Sequence, residues 1–314
     1  MGPFIGSEAL AHGVMTRGVL RARFTAILPD IYLSKDIEPS LLDRAEAAWL
    51  WSGKCGIIAG RTAAGIYRDP WQISADPVDL IARNSRHPPG IVLHNERICV
   101  DEITCWHGLP ITEPVRTALD LARHLPRDEA VTLLDPFTAA AVITRTDIVQ
   151  LAERYRRTRA IRTARQTILD IDPGARTPEQ TRVRLLLSDN GMRPTHSQIR
   201  ITDGWDDVLL AMGWPDLKVG IDCDLTDVPA TYIVATSEFL RSQGWLYIPV
   251  LPQHTARSVC HRVREAVATR VRRRQRSAKQ GSLSPVGIVA SVEENSPTTP
   301  VPVTSMLSAL MPSG

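Results

Sequence analysis

The sequence predicts an α+β protein, with an α/β arrangement on a small mixed sheet in its C-terminal part. Three patterns predict this class. Residues 7–35 show helical periodicity and then a hairpin pattern, residues 77–111 show strand-type alternation between helical segments, and residues 177–272 run helix, three strands, helix, strand, helix. With 314 residues, 43% of them hydrophobic and 23% charged, the chain is long enough for two domains with their own cores.

The first 38 residues have the layout of a winged helix-turn-helix. We expect two short helices in residues 7–24, separated by a turn at Gly13. Thr16 is the expected N-cap of the second helix, because its hydroxyl can accept a free backbone N–H of the first turn. Residues 25–35 alternate between apolar and polar and are interrupted by a Pro-Asp pair, which predicts a hairpin that serves as the wing.

Arginines give this N-terminal module a candidate nucleic-acid face. In a winged helix the second helix lies in the major groove, where arginine contacts phosphates and base edges. The three residues of this type in the second helix are Arg17, Arg21 and Arg23. The alternative is that they form an ordinary solvated helix face.

Two further basic runs favour phosphate contact, although the net charge of +3 is too small to argue for it. Residues 154–165 hold six arginines and no acid, and residues 262–276 hold seven arginines and one glutamate. Within the first run, the residues that we expect to contact DNA are Arg156, Arg157 and Arg159. A solvated helix face is again the alternative.

Residues 39–172 are expected to form an α+β region. Apolar spacing predicts helices in residues 40–68, and residues 113–125 form an amphipathic helix with Pro114 in its first turn. Further helices are expected in residues 127–170. An Asp-Pro-Gly turn at residues 172–174 marks the boundary to a third domain.

The C-terminal domain is expected over residues 173–274, and the tail after it is expected to be disordered. Thr177 is placed to cap the opening helix of this domain. Residues 275–314 are rich in Ser, Pro, Thr and Gly and cannot bury enough apolar surface to offset their chain entropy.

Two aspartates in the C-terminal domain are candidate metal ligands. Residues 217–225 alternate as a strand does, so that Asp222 and Asp224 are expected on one face of it. Two carboxylates, with Lys218 on the same strand, are a set that can hold Mg²⁺ and support phosphodiester hydrolysis. A strand with this spacing also occurs in many proteins without metal chemistry.

The segments TPEQTRVRLLL (177–187), MGWPDLKVGIDCD (212–224) and RVREAV (262–267) resemble the Vsr-like branch of PD-(D/E)XK restriction-endonuclease-like domains. The resemblance covers roughly residues 175–272 and extends to actinobacterial proteins of unknown function. Residues 1–170 resemble the N-terminal companion region of the same actinobacterial proteins. This part of the chain is also similar to the winged helix of AbiEi-family antitoxins, and RARFTAILPDIYL (21–33) matches their basic helix and wing.

The nuclease pattern of this family is largely missing. The family has aspartate where this chain has Ala211, glutamate at the position of Asp222, and usually glutamate at the position of Gln180. Asp224 and Lys218 are retained. A Mg²⁺ site that rests on two carboxylates needs all of its oxygens, and the loss of one catalytic group commonly costs on the order of 10³–10⁴ in rate. We therefore expect a degenerate nuclease fold without a cofactor, and Mg²⁺ only if activity remains.

Other sites have weaker support in the sequence. One candidate zinc set consists of His94, Cys99, Cys105 and His107. Its two cysteines have C-x₅-C spacing, which is unlike that of a zinc knuckle, so we expect no zinc site there. Most of the seven tryptophans lie in apolar runs and are expected in the core rather than stacked on bases. No apolar run reaches eighteen residues, so we expect no membrane partner. No signal-peptide pattern is visible, and the five cysteines are odd in number and scattered. We therefore expect a cytoplasmic protein.

The sequence therefore predicts a non-catalytic protein that binds double-stranded DNA, either an antitoxin-like partner of a toxin protein or a transcriptional autoregulator. Two alternatives stay open. One is a metal-dependent endonuclease that acts on DNA through Asp222, Asp224 and Lys218. The other is a protein-interaction scaffold without a role at DNA.

Overall fold

The computed structural model describes residues 2–69, 77–83 and 87–281, with side chains to residue 276, and confirms the α+β class. Its strands form three separate sheets of three, five and four strands. In the part of the chain that is described, no helix has both the length and the apolar character needed to cross a membrane.

The N-terminal module has the two short helices and the hairpin that the sequence predicts. Thr16 caps the second helix, since its Oγ1 accepts from the backbone N–H of Val19 at 3.3 Å. The hairpin turns at Asp30, which takes the left-handed φ of 63°. The sheet is antiparallel in the order β1-β3-β2. The elements are β1 (Phe4–Ile5), α1 (Gly6–Ala11), α2 (Arg17–Arg23), β2 (Phe24–Leu28) and β3 (Ile31–Ser34).

The middle region contains a five-stranded mixed sheet in the order β6-β5-β4-β8-β7. The predicted strands in residues 77–111 are present, and the last stretch folds into a hairpin of two strands. Strand β4 lies inside the region that the sequence assigned to helices. A strand of two residues is too short to produce a recognisable periodicity in the sequence. The elements are α3 (Leu41–Trp51), β4 (Ile57–Ile58), α4 (Gly60–Arg68), β5 (Val78–Ile81), β6 (Ile91–His94), β7 (Ile103–Trp106) and β8 (Leu109–Thr112).

A layer of four helices follows this sheet. The amphipathic helix α5 begins at Pro114, and its apolar residues pack with those of the next three helices. The shared core includes the fully buried Leu119, Leu134, Ile148 and Ile168. The helices are α5 (Pro114–His124), α6 (Arg127–Ala141), α7 (Arg145–Arg154) and α8 (Ile161–Leu169).

The C-terminal part contains the predicted small mixed sheet, in the order β12-β11-β10-β9. The first three of its strands in the chain pair antiparallel, and β11 pairs with β12 in parallel. A separate apolar core lies beneath it and includes Met212, Val219 and Ile221. The elements are α9 (Pro178–Asp189), β9 (His196–Thr202), β10 (Asp207–Trp214), β11 (Val219–Asp222), α10 (Ala230–Ser242), β12 (Leu246–Pro249) and α11 (Ala256–Gly281).

Buried charges connect α9 to α6 across the turn at residues 172–174. Arg184 contacts Asp135 at 2.7 Å, and the hydroxyl of Thr181 donates to the same carboxylate at 2.6 Å. The described residues up to Val271 belong to one compact unit. Helix α11 extends to Gly281, so the segment predicted to be disordered from residue 275 begins as helix. The rest of that segment lies outside the described residues.

Candidate functional site

The carboxylates predicted as metal ligands lie where β11 ends, but they do not share one strand face. The strand stops at Asp222, and Asp224 takes the left-handed φ of 68° beyond it. The Asp224 carboxylate instead accepts from the hydroxyl of Thr177 at 2.6 Å and from the side-chain amide of Gln180 at 3.2 Å. Donors from the first turn of α9 therefore already occupy the Oδ2 atom of this carboxylate.

Asp222 is half-buried and holds its proton more tightly than an ordinary aspartate. Burial raises the pKa of Asp222 to about 6, and the charge of Asp224 contributes to the increase. The carboxylate accepts from the Cys223 backbone N–H at 3.0 Å and from the Tyr247 hydroxyl at 3.4 Å. No cation compensates for its burial in the described part of the chain. With this pKa the carboxylate form prevails at pH 7, and protons compete with Mg²⁺ for it in mild acid.

Ala211 supplies no oxygen to this site. It is 4% exposed and packs in the same apolar core as Met212, which pairs with Ile221 of the next strand. Among the described residues, the groups of three acidic, histidine or cysteine side chains close enough to share a metal ion include neither Asp222 nor Asp224. The geometry thus provides two carboxylates at the end of β11 and, within the described ranges, no third ligand of these types.

The prediction that Lys218 lies on the same strand as the carboxylates is wrong. Lys218 follows a 3₁₀ turn at Pro215–Leu217 and takes the left-handed φ of 50°. Its Nζ donates to the backbone carbonyl of Gln243 at 3.1 Å, just after the last residue of α10. Lys218 is four positions before Asp222, and four steps of extended chain place their Cα atoms on the order of 13 Å apart. Lys218 stabilises a helix C-terminus and does not belong to the carboxylate site.

The arginines of α2 are all exposed. No side-chain hydrogen bond or ion pair holds Arg17, Arg21 or Arg23 within the described ranges. The end of this helix is attached to the wing, because the Nζ of Lys35 donates to the carbonyl of Arg21 at 2.7 Å and to that of Ala22 at 3.1 Å. Helix α2 and the hairpin thus form one unit whose guanidinium groups are free to meet a ligand.

The first basic run divides into paired and unpaired arginines. Its first and last members are ion-paired: Arg154 contacts Asp101 at 2.6 Å, and Arg165 contacts Glu153 at 2.7 Å. The three predicted DNA contacts lie in the turn between α7 and α8, where they are exposed and have no acidic partner among the described side chains. They are Arg156, Arg157 and Arg159.

The second basic run lies on α11. Two of its arginines attach the helix to the sheet, because Arg262 donates to the carbonyl of Pro249 and Arg270 to that of Gly244, each at 2.6 Å. Those two are therefore structural, and a count of charges in the run overstates what is available to phosphate.

The four zinc candidates do not meet at one point. His94 bonds Asp79 through its Nε2 at 2.7 Å, and His107 lies in the turn between β7 and β8 at a φ of 49°. Cys99 and Cys105 are both exposed. Within the described residues these four side chains form no common ligand set.

A buried polar network around Arg116 was not predicted from the sequence. The Arg116 side chain is fully buried and contacts Asp120 at 2.9 Å, Glu102 at 2.7 Å and Glu96 at 3.2 Å. It also donates to the hydroxyl of Tyr155 at 2.6 Å. The network joins α5 to the segments before β7 and after α7, and its charges compensate one another.

A second arginine of α5 completes this network. Arg123 contacts Glu96 at 2.8 Å, and His124 bonds the same carboxylate at 3.0 Å. Burial alone would raise the pKa of Glu96, but hydrogen bonds from His124 and Arg123 hold it well below its usual range. Glu96, Asp120 and His124 lie close enough to share a metal ion. The two guanidinium groups already neutralise those carboxylates, so the group is better described as structural.

One signal for this network was present in the sequence. Arg116, Asp120, Arg123 and His124 recur at helical spacing within a helix whose other residues are largely apolar. Charged side chains on the buried face of a helix are almost always paired with groups of opposite charge.

Comparison with known proteins gives distant relatives without an assigned activity. An uncharacterised protein of Mycobacterium tuberculosis, found in strains CDC 1551 and H37Rv, is 23% identical over 220 residues. The match covers 68% of this chain and 81% of the relative. No family model matches the chain, and no solved structure matches it.

Proposed function

We propose that this chain is a non-catalytic DNA-binding protein that contacts duplex DNA through α2 and its wing. The observation that supports the proposal is the set of exposed arginines on α2, which have no acidic partners in the described chain. Free guanidinium groups on one helix release phosphate counterions and can form bidentate contacts with guanine.

The orientation of α2 supports this use. Leu20 is buried on the protein side of the helix, so the helix cannot rotate its charged surface inward. Arg17 and Arg21 are four residues apart and therefore lie on one side of it. A rigid helix and hairpin that present such a surface fit the winged-helix mode of major-groove binding.

The carboxylate site supports a role without catalysis. Ala211 has no side-chain oxygen, one oxygen of Asp224 is engaged by α9, and burial raises the pKa of Asp222. Because the loss of one catalytic group commonly costs on the order of 10³–10⁴ in rate, a site without a carboxylate at position 211 would retain little hydrolysis. We place the chain in the cytoplasm, as an antitoxin-like partner of a toxin or as an autoregulator of its own gene.

The test is binding of a labelled duplex by fluorescence anisotropy. The double variant Arg17→Ala/Arg21→Ala should bind at least about tenfold more weakly near 0.1 M salt. A matched control, Arg83→Ala/Arg241→Ala, removes the same charge from exposed arginines outside α2 and should bind as the unmodified chain does. Equal binding by all three proteins would exclude α2 as the contact surface. Absence of binding by the unmodified chain at low salt would favour the scaffold alternative.

A metal-dependent nuclease is the second candidate, and one feature favours it. Asp224 lines a cavity of about 380 Å³ together with Glu179, Arg182 and His254, so a scissile phosphate has room to enter. Supercoiled plasmid incubated with the protein and Mg²⁺ or Mn²⁺ is the test. Nicking that disappears in Asp224→Asn would establish this candidate, and intact plasmid at high protein concentration would exclude it.

A further inference from the structure

Trp205 stands apart from the other tryptophans that the structure describes. Its side chain is 96% exposed at the tip of the β9–β10 hairpin, so it is an exception to the core position expected for most tryptophans. A large apolar ring that gains nothing from the fold is typical of an interface anchor. Those that are buried or half-buried are Trp49, Trp51, Trp106, Trp214 and Trp245. Trp71 lies outside the described residues.

The hairpin tip holds this ring on a fixed backbone. The carboxylate of Asp203 accepts from the backbone N–H of Trp205 at 3.0 Å and from that of Asp206 at 2.9 Å. These hydrogen bonds lower the pKa of Asp203, so its charge persists in acid. A preformed turn reduces the conformational entropy lost on binding. The tip therefore offers an indole on an ordered backbone, flanked by the carboxylates of Asp203 and Asp206.

A pocket of complementary character lies between α9 and α11. It has a volume of about 420 Å³, and its apolar lining comes from Leu186, Ala256 and Cys260. Arg257 and Arg264 also line it, are exposed, and have no acidic partner in the described chain. Volumes of roughly 300–1,000 Å³ hold small organic ligands, so an indole ring fits.

The other charged groups near this pocket do not make its net charge negative. His261 lines it and is 3.7 Å from the carboxylate of Glu265, its neighbour one turn away. Asp189, next to the pocket residue Asn190, is paired with Arg127 at 2.8 Å. The two guanidinium groups outnumber the one carboxylate of Glu265, so the pocket keeps a net positive charge.

We propose that this pocket binds Trp205 of a second copy of this chain. The negative charges of the hairpin tip match the positive rim, and the indole matches the apolar lining. If each copy gives its hairpin to the other, the contact occurs twice in a closed two-fold dimer, which is the commonest symmetry of soluble oligomers. This association is independent of DNA binding by α2.

Sedimentation equilibrium of the full chain tests the proposal. The unmodified chain should be a dimer. Trp205→Ala removes the anchor, and Ala256→Trp fills the pocket. Each should raise the dimer dissociation constant at least about 30-fold, as expected for removal of a central aromatic anchor. An equimolar mixture of the two variants keeps one intact contact and should form a heterodimer, which misfolded variants would not do.

A charge exchange and a matched control complete the test. Asp206→Arg should weaken association, and adding Arg264→Asp to it should restore association. Tyr232→Ala removes another exposed ring, 52% exposed on α10, and should leave the dimer unchanged. A monomeric unmodified chain, a Trp205→Ala variant that dimerises normally, or a mixture that fails to associate would each overturn the proposal.

Discussion

Arginine has opposite environments in two parts of this molecule. Arg116 and Arg123 of α5 are buried, and their guanidinium groups are surrounded by Glu96, Glu102 and Asp120. The arginines of α2 are exposed and unpaired among the described residues. The first pair stabilises the fold through compensated charge, whereas the second set leaves its charge available to a ligand.

The difference follows from where acidic residues stand. Helix α5 carries Asp120 four residues after Arg116, and the fold adds carboxylates from positions 96 and 102. Helix α2 contains no acid at all, and Lys35 at its end adds another positive charge. The role of a basic residue therefore depends on the acidic groups around it. Burial with partners indicates a structural role, and exposure without partners leaves the charge available to a ligand.

The largest effect is expected at Arg116. Arg116→Met leaves buried carboxylates without their cation, which should lower the free energy of unfolding by about 3–5 kcal/mol. Urea denaturation followed by circular dichroism measures it. Arg17→Met is the matched control and should change stability by no more than about 0.5 kcal/mol. If both variants were destabilised equally, burial and pairing would not distinguish the two arginines.

Asp222 is expected to have an intermediate effect, because it is a half-buried charge without a cation among the described residues. Its pKa of about 6 is above its ordinary value of about 3.9, so the folded state binds more protons between these values. The free energy of unfolding should therefore fall as pH rises from about 4 to 6. Asp222→Asn should remove this contribution and stabilise the protein above pH 6, on the order of 1 kcal/mol after discounting for its partial exposure.

Thermal unfolding at pH values from about 4 to about 7.5, which bracket the ordinary and raised pKa of the carboxyl, measures the Asp222 effect. Asp216→Asn provides the control, since Asp216 is an exposed acid in the turn before the same strand. That variant should keep the pH profile of the unmodified chain. An Asp222→Asn variant less stable than its parent at the upper end of this range would mean that the charged carboxylate is stabilised by a partner.

Lys218 is expected to have the smallest effect. Lys218→Met removes one exposed hydrogen bond to the carbonyl of Gln243, worth roughly 0.3–1 kcal/mol at a helix C-terminus. Chemical denaturation should show destabilisation within that range. The control is Lys54→Met at another exposed lysine, which should change stability less. Equal destabilisation by the two substitutions would contradict the role of Lys218 at the end of α10.

The sequence predicted the N-terminal module well because its signals are local. Thr16 lies three residues from the N–H that it caps, and the Pro29–Asp30 pair falls where the hairpin turns. Helical periodicity likewise located α5 and α9. Each of these features depends on residues within one or two turns of one another, so no knowledge of the tertiary fold was required.

The candidate site was predicted less well because its contacts are distant in the chain. Strand alternation assumes that the strand continues, but Asp224 leaves it at a positive φ and meets Thr177, 47 residues earlier. A 3₁₀ turn precedes the strand and keeps Lys218 outside it. The contacts of Arg116 with Glu96 and Tyr155 span 20 and 39 residues. Only the fold brings such groups together.

The salt dependence of DNA binding decides whether α2 contacts duplex DNA, because it counts the phosphates that the protein neutralises. The slope of log affinity against log salt changes by about 0.9 for each phosphate that is no longer neutralised. Arg17→Ala/Arg21→Ala should therefore reduce the slope by about 1.8 while the urea midpoint stays that of the unmodified chain. An unchanged slope would mean that α2 makes no contact with the phosphates of DNA.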